Sequence, residues 1–178
     1  MCGIFGFIGA DGSPLPPDLP QTMAVGLRHR GPDHTGHHKD SHAFLGTCRL
    51  AIIDIASGNQ PIYNEDHSLV IVFNGEIYNH RDLRARLESR DRVFRTRSDT
   101  EVILHAFEEY GPDCVAHLDG MFAFAIWDAC KKHLFCARDR LGVKPFYYAR
   151  HGGRFLFASE IKALLVAGVP AEPDEESW

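Results

Sequence analysis

The stretch Met1-Cys2-Gly3-Ile4-Phe5-Gly6-Phe7-Ile8 places a cysteine directly behind the first methionine and an apolar run directly behind the cysteine. The run from Ile4 to Ile8 is typical of a buried strand. Because cysteine is small, we expect a methionine aminopeptidase to remove Met1, so that Cys2 would carry a thiol and a free α-amine. Such an amine has a pKa of about 7.7–8.0 and can accept a proton near neutral pH. The stretch predicts a nucleophile with its own base at the start of a strand. The alternative is that a cysteine at position 2 has no catalytic role.

Composition and charge are those of an ordinary globular chain. It has 178 residues, 44% of them hydrophobic and 24% charged, with a formal net charge of -5. This length suffices for one domain with a sizeable core. The interspersed charges argue against binding to nucleic acid or to a membrane surface. No apolar run approaches the ~20 residues of a membrane span, and no signal peptide is expected. The five cysteines are odd in number, which favours free thiols in a reducing cytoplasm.

Periodicity predicts about nine strands and four or five helices. Helices are expected after the candidate N-caps Asp18, Ser98 and Ser159, and another is expected to open at residues 79–83. Ser98 and Glu101 have the spacing of a capping box. Strands are predicted over residues 4–8, 43–55 with a bend near 47–48, 68–73, 121–127, 134–138, 145–148 and 155–158. A loop is predicted over residues 10–20 and a loose tail over 170–178. Long antiparallel stretches with helices on the outer faces predict an α/β (α+β) fold of two sheets.

Eight stretches, in order along the chain, resemble one family. They are Cys2-Gly3-Ile4-Phe5-Gly6, His29-Arg30-Gly31-Pro32-Asp33, Arg49-Leu50-Ala51-Ile52-Ile53-Asp54, Asn74-Gly75-Glu76-Ile77-Tyr78-Asn79-His80, Ser98-Asp99-Thr100-Glu101, Gly120-Met121-Phe122-Ala123-Phe124-Ala125, Ala137-Arg138-Asp139-Arg140-Leu141-Gly142 and Ala158-Ser159-Glu160-Ile161-Lys162. Together they resemble the N-terminal glutaminase domain of glutamine-hydrolysing asparagine synthetases, a class II glutamine amidotransferase domain of the N-terminal-nucleophile hydrolase type. The resemblance covers about residues 2–168, and 169–178 are expected to be a loose tail or the start of a linker. It implies a four-layer αββα sandwich of two mainly antiparallel sheets.

The resemblance also implies a mechanism. Cys2 would attack the side-chain amide of glutamine, release ammonia and form a glutamyl thioester that water hydrolyses. The catalytic set would be Cys2, with the Asn74 side chain and the Gly75 N–H as oxyanion donors. The alternative use of Asn74-Gly75 is a tight hairpin turn, which the short segment after it disfavours.

The two charges of free glutamine require two opposite partners. Arg49 can form a two-pronged hydrogen bond with the α-carboxylate, and Asp99 can pair with the α-ammonium. The resemblance places Glu76 beside the same pocket. Without the resemblance, Arg49 is an ordinary strand charge and Asp99 an acid in the first turn of a helix.

Two features depart from the family pattern. Thr47-Cys48 precede Arg49, where members often carry a histidine at the first of these positions. The sequence also lacks the ATP-using domain of family synthetases and has no glycine-rich phosphate loop. ATP and Mg are therefore expected only in a synthetase domain or chain that accepts the ammonia, and no cofactor is expected here.

Several alternatives stay open at this stage. The histidines at positions 29, 34, 37, 38 and 42 suggest a metal, but they lack cysteine partners and helical spacing, so a solvated loop and no metal site are predicted. The ammonia acceptor could be aspartate or another molecule, and a homodimer is a candidate assembly. The rivals to a glutaminase are a glutamine-sensing regulatory domain and a hydrolase of a different amide.

Overall fold

The structure is a computed structural model that describes residues 1–9 and 17–172. Within these residues, no helix combines the length and apolarity needed to cross a lipid bilayer. The strands are β1 (Gly3–Gly9), β2 (His34–Lys39), β3 (Ala43–Arg49), β4 (Ile62–Tyr63), β5 (Leu69–Ile77), β6 (Gly120–Asp128), β7 (His133–Arg138), β8 (Tyr147–His151) and β9 (Arg154–Ala158). The α-helices are α1 (Leu19–Leu27), α2 (His80–Glu88), α3 (Asp99–Tyr110) and α4 (Ile161–Leu165), and 3-10 turns follow α1 and α3 at Arg28–Arg30 and Gly111–His117.

The strands form two sheets in which every pairing is antiparallel. One has five strands in the order β2-β3-β1-β9-β8, and the other has four in the order β4-β5-β6-β7. The strand that begins at Gly3 lies at the centre of the first sheet, where Ile4 faces Thr47 of β3 and Phe5 faces Ala158 of β9. Cys2 therefore directly precedes a strand that is paired on both sides.

Three apolar clusters separate four layers. Side chains alternate along β1, so that Phe5 and Phe7 pack on the helices α1 and α4 while Ile4 packs toward the second sheet. On β5, Val72 belongs to the cluster between the sheets and Phe73 to the cluster against α2 and α3. The resulting order, helices, sheet, sheet and helices, confirms the predicted αββα sandwich.

Several predicted elements have other bounds in the structure. The predicted strand over 43–55 ends at Arg49, because the following segment wraps around the Arg49 side chain. The strand predicted over 145–148 begins only at Tyr147. The hairpin alternative for Asn74-Gly75 is wrong, since both residues lie inside β5 and face Ala123 and Phe122 of β6. Helix α1 begins at Leu19 within the predicted loop, whose residues 10–16 lie outside the described residues, as do 173–178 of the predicted tail.

His34, His37 and His38 lie in the strand β2, so the prediction of a solvated loop was wrong for them, whereas His29 lies in the 3-10 turn Arg28–Arg30 and His42 between β2 and β3. Strand β2 pairs with β3 at the edge of the five-stranded sheet, with His34 opposite Arg49 and Lys39 opposite Phe44. Its side chains alternate between half-buried and exposed along the strand. Because the half-buried positions carry histidine and glycine, the apolar alternation that usually indicates a strand is missing.

The predicted helix caps are formed only in part. Ser98 Oγ accepts a hydrogen bond from Thr100 N at 3.2 Å, but Glu101 binds the N–H groups of Arg95 and Thr96 and so does not close a capping box. Asp18 makes no side-chain cap. Ser159 is not the cap of α4 either, because its hydroxyl accepts a hydrogen bond from Ile4 N at 2.9 Å and thereby fixes β1 to β9.

Candidate active site

A cavity of about 110 Å³ opens where the start of β1, the end of β3, the second half of β5 and the start of α3 meet. All of the predicted site residues line it, namely Cys2, Arg49, Asn74, Gly75, Glu76 and Asp99. Met1, Gln60 and Lys144, which the sequence did not identify, also line it. Residues Thr47 and Cys48, where the sequence departs from the family pattern, are buried and do not line the cavity.

The Cys2 thiol is half-buried and donates a hydrogen bond to the main-chain oxygen of Leu50, with the two atoms 3.7 Å apart. Burial raises the pKa of this thiol, and the Leu50 contact and the nearby positive charges only partly oppose that effect. A thiol in this environment needs a base before it can act as a nucleophile. No histidine lines the cavity among the described residues, so the base must be another group.

The main chain of Cys2 is held by a charged pair. Arg30 Nε donates to the Cys2 carbonyl oxygen at 3.0 Å, and Arg30 Nη1 donates to Glu160 Oε1 at 3.0 Å. Glu160 also pairs with His29 and Lys162. Although partial burial acts to raise it, the pKa of Glu160 is lowered to about 2 by Lys162, Arg30 and His29. The Glu160 carboxylate therefore stays charged near neutral pH and holds Arg30 against the carbonyl oxygen of Cys2.

The motif His29–Asp33, which contains Arg30, also holds the end of β3 and the segment after it, where Arg49 and Leu50 line the cavity. Asp33 Oδ2 accepts a hydrogen bond from Ala51 N at 2.9 Å, and Asp33 N donates to Arg49 O at 3.1 Å. Between them, Gly31 lies so close to β3 that a Cβ there would be 2.2 Å from Cys48 O. The motif His29–Asp33 is part of the family resemblance, but no sequence pattern indicates these structural roles.

Asn74 presents an unused donor to the cavity. The residue is 1% exposed, and its Nδ2 has no hydrogen-bond partner among the described residues. A buried amide without a partner is costly and rare in native proteins. Such a donor beside a nucleophile is expected where a ligand oxygen supplies the missing partner.

The Gly75 N–H points toward the same space. Along a strand, alternate residues direct their N–H groups to the same edge. Phe73 N donates to Gln60 Oε1 at 2.7 Å and Ile77 N donates to Asp99 Oδ2 at 3.0 Å, both on the edge away from β6. Gly75 lies between them on β5, so its N–H is directed to the same edge of the strand. Asn74 and Gly75, two consecutive residues, thus both place a donor at the cavity that they line.

The Arg49 side chain is already engaged in this structure. Its Nη2 donates to the main-chain oxygens of Ile53 and Asp54 at 2.9 and 2.8 Å, and its Nη1 donates to Asn59 Oδ1 at 2.9 Å and to Ile55 O at 3.4 Å. The guanidinium therefore shapes the loop after β3. The sequence predicts a guanidinium that is free to bind a carboxylate with two hydrogen bonds. The structure instead shows a guanidinium that already donates to four oxygen atoms, and the longest of these contacts is the one to Ile55 O.

Two acids complete the wall of the cavity. Asp99 is 4% exposed, and burial raises the pKa of its carboxyl, with the Ile77 N–H and His80 acting in the opposite direction. A buried carboxylate in this position would be stabilised by a cationic ligand. Glu76 is half-buried and forms no ion pair with the described residues.

Among the described residues, one group of side chains could hold a metal ion, and none of its members lines the cavity. Glu65, His105 and Glu108 have ligand atoms within 4.8 Å of one another. Both ring nitrogens of His105 face carboxylates, with Nδ1 2.7 Å from Glu108 Oε2 and Nε2 3.7 Å from Glu101 Oε1. Although burial acts to lower it, the pKa of His105 is raised to about 9 by these carboxylates, which favours the protonated form of the ring.

Comparison with known proteins identifies close relatives of the chain. It is 47% identical to asparagine synthetase [glutamine-hydrolyzing] 3 of Bacillus subtilis (strain 168) over 98% of this chain and 28% of that protein. It is 48% identical to asparagine synthetase [glutamine-hydrolyzing] 2 of Oryza sativa subsp. japonica over 92% of this chain and 28% of that protein. The chain thus spans about 28% of the length of the curated relatives it matches.

The fold has a counterpart among solved structures. The glutamine phosphoribosylpyrophosphate amidotransferase of B. subtilis, solved with ADP and GMP, superposes with a TM-score of 0.78 at 24% identity, over 94% of this chain and 44% of that one. This likeness confirms the predicted N-terminal-nucleophile hydrolase fold. The family model of the glutamine amidotransferase domain matches residues 1–177. The chain therefore belongs to the glutamine amidotransferase domain family.

Proposed function

We propose that this chain hydrolyses glutamine to glutamate and ammonia at Cys2. The observation that carries the proposal is the buried Asn74 Nδ2, which has no hydrogen-bond partner among the described residues and lies at the cavity that Cys2 and Gly75 also line. A site that hydrolyses an amide needs a nucleophile, a base and donors for the developing oxyanion. Membership of the amidotransferase domain family supports glutamine as the amide.

The reaction follows from these groups. Once Met1 is removed, the α-amine of Cys2 takes the thiol proton, and the sulfur attacks the side-chain carbonyl carbon of glutamine. The carbonyl oxygen becomes an oxyanion that accepts hydrogen bonds from Asn74 and Gly75. The amine returns the proton to the leaving nitrogen as the C–N bond breaks, so ammonia and a glutamyl thioester form. Water then adds to the thioester and releases glutamate and the thiol.

Three charged residues would hold the substrate. Asp99 pairs with the α-ammonium, which restores the charge balance of a buried carboxylate. Arg49 binds the α-carboxylate by giving up its longest contact, to Ile55, because a charged acceptor binds a guanidinium more strongly than a neutral carbonyl does. Glu76 adds a second acid beside the ammonium. These roles favour a free amino acid over a peptide-bound glutamine.

We further propose that the ammonia is used by a synthetase domain or chain that makes asparagine from aspartate in the cytoplasm. The relatives that support this are about 46–48% identical glutamine-hydrolysing asparagine synthetases, of which this chain matches 28%. ATP and Mg would be bound by that synthetase part. An acceptor other than aspartate is the alternative, and the residues of this cavity do not distinguish the two.

Ammonia release from glutamine by the purified chain tests the proposed hydrolysis. Wild type should release ammonia and glutamate in equal amounts, and Cys2→Ala should release neither while keeping the circular-dichroism spectrum of wild type. Cys130→Ala is the matched control, because Cys130 is an exposed thiol away from the cavity and should retain activity. Ammonia release by Cys2→Ala at the wild-type rate would refute the proposal.

A further inference from the structure

Lys144 is a buried lysine in the wall of the cavity, and the mechanism above does not use it. The residue is 5% exposed, and its Nζ lies 3.0 Å from the sulfur of Met1. A thioether is only a weak hydrogen-bond acceptor. Lys131 and Lys162 both pair with carboxylates, whereas Lys144 forms no ion pair with the described residues. A buried ammonium without a carboxylate is costly and calls for an explanation.

The backbone around Lys144 is held firmly. Asp139 accepts hydrogen bonds from Val143 N at 2.8 Å, Lys144 N at 3.0 Å and Phe122 N at 3.2 Å. Arg138 Nε donates to Lys144 O at 2.6 Å. Phe122 faces Gly75 across β5 and β6, so the turn is fixed directly to the strand pair that carries the oxyanion donors. These contacts fix the backbone from which the Lys144 side chain extends into the cavity wall.

The contact with Met1 limits how far Lys144 can be from the catalytic amine. Five covalent bonds join the Met1 sulfur to Cys2 N, and they span about 6 Å when extended. Adding the 3.0 Å contact places the ammonium within about 9 Å of Cys2 N. Removal of Met1 takes away the sulfur and leaves the ammonium and the new α-amine in one cavity.

We propose that Lys144 acts through the α-amine of processed Cys2, where its positive charge favours the neutral, proton-accepting form of that amine. This inference rests on the proposed function, in which the amine is the base. A nearby cation disfavours a second positive charge. The negative charges of Glu76 and Asp99 favour the protonated amine, whereas the guanidinium groups of Arg30 and Arg49 favour the neutral amine, as Lys144 does. The Cys2 thiol adds a negative charge when it loses its proton. The positive charge of Lys144 would offset the negative charges of Glu76 and Asp99, so that the Cys2 amine can accept a proton near neutral pH.

The expected effect is a shift of the pH profile. Replacing Lys144 with methionine, which has a similar length and no charge, should raise the pKa of the Cys2 amine by roughly one unit, the size expected for a unit charge at this distance in a partly buried site. The acid limb of kcat/KM for glutamine should move to higher pH by the same amount. Lys144→Arg, which keeps a cation, should leave the limb near its wild-type position. Lys144→Gln serves as a second neutral variant if the methionine variant does not fold.

Direct titration of the amine tests the proposal independently of turnover. The protein is labelled with ¹⁵N-cysteine, the Cys2 amine signal is assigned by its loss in Cys2→Ala, and its chemical shift is followed with pH. The control is Lys131→Met, since Lys131 is an exposed lysine on the turn after β6 and should leave the amine pKa unchanged. A raised amine pKa in the neutral Lys144 variants supports the proposal, even in a chain that releases no ammonia. An amine pKa equal to that of wild type in both neutral variants overturns it, and ammonia release by wild type would then still support the proposed function.

Discussion

Asn74 is the single residue whose loss should separate stabilisation of the transition state from binding of the substrate. Its Nδ2 is buried and has no hydrogen-bond partner among the described residues, and in the proposed mechanism it donates to the oxyanion that develops in the transition state. Asn74→Ala should therefore lower kcat for glutamine by about 100- to 1000-fold with little change in KM. Steady-state ammonia release over a range of glutamine concentrations measures both constants.

The control for this prediction is another buried asparagine. Asn64 is 5% exposed, but its side chain bonds Ser68, Leu69 and Glu108 away from the cavity. Asn64→Ala should cost stability without the selective loss of kcat. If Asn74→Ala raised KM and left kcat intact, Asn74 would be a substrate ligand and the oxyanion role would be wrong.

At the scale of residues, the sequence predicts six of the residues that line the cavity, but not the neighbouring residues that contact them. The position of Cys2 directly behind Met1 predicts a nucleophile, the resemblance to a family adds Arg49 and Asp99, and the structure brings the three to one cavity. Arg30 and Lys144 were missed, because their importance depends on contacts across more than 25 positions of the chain, from Arg30 to Cys2 and from Lys144 to Met1. A sequence motif records which residue types occur, and not what each of them touches.

At the scale of elements, the close approach of β5 to β6 is what places the oxyanion donors. A Cβ on Gly75 would lie 2.2 Å from Met121 O, a distance that the two strands can relieve only by moving apart. Gly75→Ala should therefore destabilise the fold by about 1–3 kcal/mol, the usual cost of overpacking, and lower kcat as the Asn74 and Gly75 donors shift. Urea denaturation and ammonia release measure the two effects.

Gly26→Ala is the matched control for this substitution. Gly26 lies inside α1, and the nearest atom to an added Cβ is 3.9 Å away. Alanine is favoured over glycine within a helix by about 0.5–1 kcal/mol, so this variant should be as stable as wild type or more stable. Equal stability and equal activity of Gly75→Ala and wild type would show that the strand spacing does not position the donors.

Helices and strands could be predicted where apolar periodicity is strong, and less well where contacts between distant segments determine their bounds. Strands β1, β6 and β9 and helices α2 and α3 follow from their apolar patterns. The edge strand β2 was missed because its alternation is polar, and the end of β3 was missed because carbonyl groups of the next segment bind Arg49. Asn74-Gly75 belongs to β5 because β6 pairs with it through both residues, which no local turn rule can anticipate.

At the scale of the whole molecule, a buried ionic group links the start of α3 to the segment before it and makes stability depend on pH. His105 lies between Glu101 and Glu108, and these carboxylates raise its pKa from 6.5 to about 9 against the opposing effect of burial. A raised pKa in the folded state means that the stabilising contribution is fully present below about pH 6.5 and is lost as pH rises to about 9. The opposite holds for Glu101, whose pKa of about 2 makes its contribution decline as pH falls from about 4.5 to 2.

His105→Gln tests this account of pH-dependent stability. Between pH 6.5 and 9, the free energy of unfolding of wild type should fall by on the order of 2 kcal/mol more than that of the variant, which lacks the titrating ring. Urea denaturation at several pH values gives this difference, in which the titrations of the thiols cancel. Parallel pH dependences for the two proteins would mean that His105 is neutral in the folded chain.

The overall architecture was the most predictable feature of the chain. The order of short motifs implied the αββα sandwich, and the alternation of apolar residues along β1 and β5 explains why the two sheets pack face to face with helices outside. The volume of the cavity and the engagement of Arg49 by its neighbouring loop could not be predicted, because they depend on how segments distant in sequence meet.

The most direct test of the central claim is the covalent state of Cys2 during turnover. The chain is mixed with glutamine, quenched in acid after milliseconds to seconds, and examined by intact mass and by mapping of its N-terminal peptide. We predict a chain without Met1 that carries a glutamyl group on the peptide beginning at Cys2, and no such group in Cys2→Ala. Steady release of ammonia by a chain that retains Met1, or a glutamyl group on any other residue, would contradict the claim that processed Cys2 is both nucleophile and base.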